Sequence, residues 1–478
     1  MSIREGSEEC SISPLEVFDI PPTQTAIEKS YDVEYLPTSA LQEGGVVEFY
    51  IPASNEDYVD LKNSKLYIKA KITNDVGGDL DNNVDVAPVN NFLQSMWSNV
   101  ELMLNDRLVT HSNNVHGYTS MLSHLLHDSD ESLASERPMQ MVYKDTPGQM
   151  DATNVKKPNE TNLIAGFSFR QEAAIAAGEE EGALPVLGVR LARVPEDEDV
   201  GNNGLHKRFL LTQGSKTFEL FGSLRLDLFE QLRYLPNGIS IKLHLHQQKR
   251  AFSLMSPNNE TAYKIKLINA SFILRKVKPS PGVLLGHADG MTKAPAQFPI
   301  VRKECKSFAI PAGLAQFKQD NIFLGQLPTT VVLAMVTGRA FSGSLEQNPF
   351  NFQHFNVNLV QLYADGEPVR SRPFRLDMET GSYVESFCSL FSGMSKFDGD
   401  RGSIIKYEDW PRGYSLFAFS LSPDAQCDDH SSLIKHGNLR VEVQFAQALE
   451  DPIQLLVYAE FDNIVKIDSD RQVLVDYV

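Results

Sequence analysis

Apolar and polar residues alternate with period two along several stretches of the chain. Ile239, Ile241, Leu243 and Leu245 do so strictly, as do Leu439, Val441, Val443 and Phe445, and Ile453 to Phe461 does so loosely. Val47-Glu48-Phe49-Tyr50-Ile51 keeps apolar residues on one face, and Leu66 to Ile72 sets Lys69 and Lys71 between apolar neighbours. Alternation of this kind, bounded by Asn-Gly, Pro and Asp clusters, predicts half-buried strands of sheets packed on a core. Asn237-Gly238 and Gly437-Asn438 fall where turns must open two of these strands. Helical spacing is rare. Met121, Leu122, Leu125 and Leu126 predict one short helix.

The pattern occurs twice, in the same order. Phe49 to Ala53 (FYIPA) returns as Phe308 to Ala312 (FAIPA), and Asn90-Asn91-Phe92 returns as Asn348-Pro349-Phe350. Asn99-Val100-Glu101-Leu102 resembles Asn356-Val357-Asn358-Leu359, and the turn at Asn105-Asp106 resembles that at Asp365-Gly366. Tyr118 to Leu126 resembles Tyr383 to Phe391, and the strand beginning at Ile239 resembles the one beginning at Leu439. The offset falls from 265 at the helix to 200 at that last strand, so the first copy carries about 65 extra residues. They fall in the stretch 138–214, where AAIAAGEEEG (173–182) and PEDEDVGNNG (195–204) are acidic, glycine-rich and free of aromatics. Such composition predicts a solvated insertion. About eight strands and a helix per copy predict an all-β chain of two tandem eight-stranded jelly rolls, with short helices and long inter-strand loops. The divisions expected are an N-terminal arm at 1–35, a first jelly roll at 36–278, a Pro- and Gly-rich linker at 279–299 and a second jelly roll at 300–478.

Composition narrows the function. The chain has 478 residues, 62 Asp plus Glu against 44 Lys plus Arg, and a net charge of −18. So negative a surface repels phosphate backbones and anionic membranes, and no dense cationic patch offsets it. The longest apolar runs, such as Val331 to Val336, are strand-sized, and the first residues run into acids without an apolar core, so neither a membrane helix nor a secretory signal is expected. Cys10, Cys305, Cys388 and Cys427 are widely spaced, which suits free thiols in a reducing compartment.

Catalytic patterns are missing from the sequence. It contains no P-loop, no GxSxG elbow and no HExxH. His244-Leu245-His246 puts two imidazoles on one strand face as a cupin metal site does, but Gln247-Gln248-Lys249-Arg250 follows where a Glu is needed. His124, His127 and Asp128 share a helix face, yet the matching positions of the second copy are Ser389, Ser392 and Gly393. Two polar residues on a solvated strand and a polar helix surface account for these groups, and no metal or cofactor is expected.

Several segments resemble the double jelly-roll major capsid proteins of Polinton (Maverick) elements and adintoviruses. They are Phe18 to Lys29 (FDIPPTQTAIEK), Tyr58 to Tyr67 (YVDLKNSKLY), Asn348-Pro349-Phe350-Asn351-Phe352 and Gly325-Gln326-Leu327-Pro328. Gly413-Tyr414 with Ser422-Pro423-Asp424, and Ala459-Glu460-Phe461-Asp462-Asn463, complete the set. Ser420 departs from the pattern, where an Asp is expected. The resemblance implies a hexon-like, non-enzymatic structural protein, forming pseudo-hexameric homotrimers in the icosahedral capsid of a double-stranded DNA virus or virus-like transposon. It also implies neighbouring capsomers and minor capsid or penton proteins as partners, no sequence-specific nucleic acid, and a location in virions assembled inside the host cell. Copies of such genes lie in animal genomes. A bicupin-type enzyme or a glycan-binding attachment module are the alternatives. Leu15, Val17, Phe18, Ile20, Pro21 and Pro22 form a candidate assembly arm, apolar and stiffened by its prolines.

Overall fold

The computed structural model describes residues 17–18, 20–110, 114–155, 201–259, 262–394, 403–422 and 432–475. In the first half, eight strands build two sheets: β1 (Ile27–Tyr35), β2 (Val46–Ile51), β3 (Tyr58–Asn74), β4 (Trp97–Leu104), β5 (Arg107–Leu108), β6 (Phe218–Gly222), β7 (Ile241–Gln247) and β8 (Tyr263–Pro279). Their orders are β1-β8-β3-β6 and β2-β7-β4-β5. The second half supplies β9 (Ala296–Ile310), β10 (Gln316–Gln319), β11 (Thr330–Thr337), β12 (Val357–Ala364), β13 (Glu367–Pro368), β14 (Leu416–Ser420), β15 (His436–Phe445) and β16 (Ile453–Ile467). Its sheets run β9-β16-β11-β14 and β10-β15-β12-β13. Adding eight to every label of the first half reproduces the second. This is the jelly-roll order, twice.

The likeness reaches single residues. In β4 the pairing with β7 steps from Trp97–Gln247 to Asn99–His246, leaving Ser98 as a bulge. In β12 it steps from Val357–Phe445 to Leu359–Gln444, leaving Asn358 at the same place. Both strands then enter a two-residue turn with positive φ at both positions, Asn105-Asp106 and Asp365-Gly366. Asn90 and Asn348, both buried, each accept a backbone N–H through Oδ1, from Asn91 at 2.9 Å and from Phe350 at 3.0 Å. The helices α1 (His116–His127) and α5 (Val384–Ser392) follow β5 and β13 respectively.

The structure corrects three of the sequence matches. Phe49 to Ile51 lies in β2 and Phe308 to Ile310 at the end of β9, so those strands are not equivalent. Trp97, not Asn99 or Val100, is the counterpart of Val357, and Ile241 is the counterpart of Leu439. An alternating pattern fits itself at every even shift, and a bulge moves it by one more residue, so periodicity alone does not fix register.

The expected insertion is partly packed. Residues 156–200 lie outside the described residues, but its flanks do not behave as solvated chain: Val155, Leu205 and Arg208 are fully buried. Leu205 and Arg208 belong to α2 (Asn203–Thr212), capped by the Asn202 side chain. Between the halves, α4 (Pro281–Lys293) joins β8 to β9 and buries only Met291. β1, inside the segment read as arm, is the edge strand of the first sheet.

The two sheets that contain β3 and β11 have different surroundings. Along β3, Leu66, Ile68, Ala70 and Ile72 are fully buried while Tyr67, Lys69 and Lys71 between them are partly exposed. Along β11, Val331 to Val336 are all buried, because this sheet is covered on both faces. When β3 and β11 are aligned at their last residues, Asn74 and Thr337, Lys69 stands where the second half has Val332. Val332→Lys is therefore expected to cost more than about 3 kcal/mol, by burying an unpaired ammonium. Lys69→Val, which removes an exposed ion pair with Glu219, should change stability by less than about 1 kcal/mol. Denaturant unfolding of the two variants measures the difference, and equal costs would contradict the one-sided cover.

Candidate functional site

The outer face of β9-β16-β11-β14 is covered by the first half. α1 and α3 (Asp227–Glu230) lie against β9, and the polar groups they bring meet partners from the second half. Lys303 Nζ donates to Ser123 Oγ at 2.9 Å and pairs with the Glu230 carboxylate. His127 Nε2 meets Glu460 Oε1 at 2.7 Å, and Glu460 also accepts from Tyr458 OH at 2.6 Å. α3 covers the open edge of β9 as well: Lys303 N donates to Asp227 Oδ1 at 3.2 Å, and Arg233 donates to the Gln297 carbonyl at 2.6 Å. An edge strand so covered is closed to stray pairing.

Behind this line, α1 closes on a second set of charges. His124 Nδ1 lies 2.5 Å from Asp128 Oδ2, and because an ionised carboxylate only accepts, the imidazole proton of this bond sits on Nδ1. Asp128 also accepts from Arg225 at 2.7 Å and from Arg137 at 3.0 Å. Burial, helped by the Arg225 charge, pushes the His124 pKa down to about 4, so the ring is neutral. Burial alone would raise Asp128, but the His124 hydrogen bond and the two guanidinium groups hold it well below the usual carboxylate range. Burial would raise Glu460 too, yet His127 and Lys303 hold it at about 2. Asp227 goes the other way. Burial pushes its carboxyl up to about 7, against the pull of Lys303.

Two further junctions cross the seam. Asp145, fully buried, accepts from Arg208 at 2.9 Å and from Asn348 Nδ2 at 3.0 Å, while its carbonyl accepts from Tyr414 OH at 3.0 Å. Arg208 and Asp145 come from the first half; Asn348 and Tyr414 come from the second. Tyr118 of α1 stacks on Phe341 at 5.6 Å and meets Phe350 edge-on at 5.7 Å. A cavity of about 40 Å³ between Ser123, His116, Arg225, Asp227 and Lys303 has room for a water molecule, not a substrate.

The residues singled out from the sequence divide along this seam. His124, His127 and Asp128 do not form a polar helix surface: His124 and Asp128 are buried in the charge set behind the seam, and His127 pairs with Glu460 across it. His244 and His246 stand on a half-exposed strand face, each 3.6 Å from Glu101. Among the described residues, no group of three or more His, Cys, Asp or Glu is placed to hold a metal ion. Of the arm residues, Val17, Phe18 and Ile20 are 73%, 94% and 88% exposed, Pro21 and Pro22 are exposed, and Leu15 lies outside the described residues. Cys305 is buried, Cys388 is half-buried and both are free thiols; Cys10 and Cys427 lie outside the described residues. Sequence reasoning missed Asp145, Arg208, Arg225, Asp227, Glu230 and Lys303. Asp145 and Arg208 fall in the stretch 138–214, which the repeat does not reach.

No protein-family model matches the chain. A curated relative, the uncharacterised protein F54H12.2 of Caenorhabditis elegans, is 24% identical over 473 residues, covering 96% of this chain and 100% of its own. Among solved structures, a chain of the Sputnik virophage aligns with TM-score 0.62 and 13% identity over 99% of this chain and 94% of its own. A chain of the PBCV-1 virus capsid aligns with TM-score 0.57 and 10% identity over 96% and 99%. The mavirus major capsid protein aligns with TM-score 0.51 and 12% identity over 100% and 93%. These alignments run the full length of both sandwiches. The chain has the double jelly-roll fold of viral capsid proteins.

Two outcomes follow from the seam. Asp145→Ala leaves Arg208 buried without its partner, and is expected to lower the unfolding free energy by about 3–5 kcal/mol in a urea titration. Asp227 has a raised folded pKa, so the stability it contributes is full below its unfolded value of about 4 and is lost as pH rises through about 7. Asp227→Asn should flatten the decline in stability across that window. An unchanged slope in melting temperature against pH would show that Asp227 is not the group responsible.

Proposed function

We propose that the chain is a major capsid protein, a structural and non-enzymatic shell subunit. Three copies form a capsomer with six similar sandwiches around one axis, so that a threefold object tiles a hexagonal lattice. The shell encloses the genome of an icosahedral double-stranded DNA virus or virus-like transposon of the Polinton and adintovirus kind. The observation that carries this reading is the repeated strand order of both halves, together with full-length likeness to chains of Sputnik, PBCV-1 and mavirus. The relative in a nematode supports a gene that also resides in animal genomes. Glu460 with His127 and Lys303 with Glu230 pair across the seam, as suits a part that must be rigid.

Division of labour follows from charge. A subunit with a net charge of −18 cannot neutralise a genome, so basic proteins condense the DNA and minor capsid or penton proteins complete the shell. The arm, with Val17, Phe18 and Ile20 uncovered by their own chain and Pro21-Pro22 stiffening it, lies along a neighbouring subunit or the inner face.

Light scattering on the purified chain is expected to give a mass near three times 53.4 kDa. A monomer at every concentration would overturn the reading. Deleting residues 1–22 should reduce shell yield, counted by electron microscopy, with little change in melting temperature. Unchanged assembly would remove the arm's role.

A further inference from the structure

The two halves part company in the connection that leads into β4 and β12. Between Phe92 and Trp97 the first half has four residues, Leu93 to Met96, all buried and wound into a helical turn (Phe92–Ser95). Between the counterparts Phe350 and Val357 the second half has six. Only Phe352 among them is buried: Asn351, Gln353, His354 and Phe355 are half-buried and Asn356 is exposed. Apart from Phe352, these residues join 148–152 of the first half and 411–413 of the second around a cleft of about 620 Å³, a volume typical of small-molecule sites. Its walls are tied together. Gly148 N donates to the Arg412 carbonyl at 2.8 Å, Phe352 N donates to the Gly413 carbonyl at 2.9 Å, and a Cβ on Gly413 (φ 106°) would overlap the Met150 sulfur. Phe355 and Asn356 both hold positive φ, 45° and 50°, a costly conformation for two successive residues with side chains, and residues 93–96 of the first half have none.

The polar groups of the cleft are unspent. The side-chain amides of Gln149, Gln353 and Asn356 make no hydrogen bond among the described residues. Asn356 N donates to His354 Nδ1 at 3.0 Å, so the ring proton sits on Nε2, a donor with no partner among the described residues. The charges, by contrast, are answered within the chain. Asp151 accepts from Asn348 N at 2.7 Å and from Asn351 Nδ2 at 2.6 Å, while Arg412 pairs with Asp409 at 3.8 Å and donates to the Glu408 carbonyl at 3.1 Å. We infer that this cleft binds a carbohydrate, a neutral sugar residue with several adjacent hydroxyl groups. A hydroxyl both donates and accepts, and a side-chain amide does the same, so three free amides and an imidazole N–H match a run of hydroxyls. Phe355 offers apolar surface to the C–H face of a sugar ring. A charged ligand would need a free counter-charge, and Arg412 and Asp151 are already engaged. The inference goes beyond the capsid reading and does not depend on it. A shell subunit has no need of such a cleft, and the first half closes the same place without one; a shell that carries it can be held to a glycan-coated surface.

Titration of the full-length protein with galactose, mannose and N-acetylglucosamine, followed by saturation-transfer NMR and calorimetry, tests this. At least one of the three is expected to bind with a dissociation constant on the order of 1 mM, as suits a ligand of about a dozen heavy atoms. Gln353→Ala and Asn356→Gly should each weaken that binding about tenfold with the melting temperature unchanged. Glycine at 356 removes the amide and keeps the left-handed backbone, and Gln353→Ala decides the matter if the loop is perturbed. N-acetylneuraminic acid should bind about tenfold more weakly than the best neutral sugar. No binding of any of the three, or binding that both variants leave intact, would overturn the site. Tighter binding of N-acetylneuraminic acid, or of a short peptide in place of any sugar, would overturn the ligand class. None of these outcomes touches the mass of the assembled chain, so the capsid reading stands or falls separately.

Discussion

The structure depends on one constraint: charges buried where the two halves meet must all find partners there. An unpaired ammonium or carboxylate at such a site costs several kcal/mol, whereas a matched set costs little and tolerates only one geometry. Lys303 needs Glu230, Glu460 needs His127, and Asp145 needs Arg208 and Asn348. These pairs supply little net stability over an apolar interface. Their effect is to fix how the sandwiches sit, while the aromatic contacts of Tyr118 and the covered strand β11 supply the burial. Two domains joined by an exposed helix would otherwise move freely.

That rigidity links fold to function. If a shell subunit places two sandwiches at a fixed angle, neighbouring copies meet already oriented, and assembly need not order an interdomain hinge. Duplication then lets the halves diverge where their neighbours differ. The divergence is visible in the sheet rows. Val332 of β11 is fully buried, while Lys69 of β3, at the equivalent place, is partly exposed. The bulge at Ser98 and Asn358, which shapes the interior, has stayed the same.

Much of the fold was legible in the sequence, for a physical reason. Strands half-exposed to water alternate, and β7 and β15 announce themselves through Leu243 and Val441. Val331 to Val336 was readable as a strand but not as one covered on both sides, because the cover is contributed by residues more than 100 positions earlier. The register was not legible, since Trp97 and Val357 share only their burial. The seam was the least visible part. His127 and Glu460 are 333 residues apart, and neither belongs to a local pattern that betrays the other. His124 reads as a surface residue of an amphipathic helix because Arg225, which closes over it, lies 101 positions later in the chain.

Electron cryomicroscopy of the assembled particle locates the two halves around the capsomer axis and so decides whether the angle between them is fixed. Six sandwiches are expected, first and second halves alternating, with the same angle between the halves in every copy. Capsomers in which first halves touch first halves, or in which the angle between halves varies from copy to copy, would contradict it.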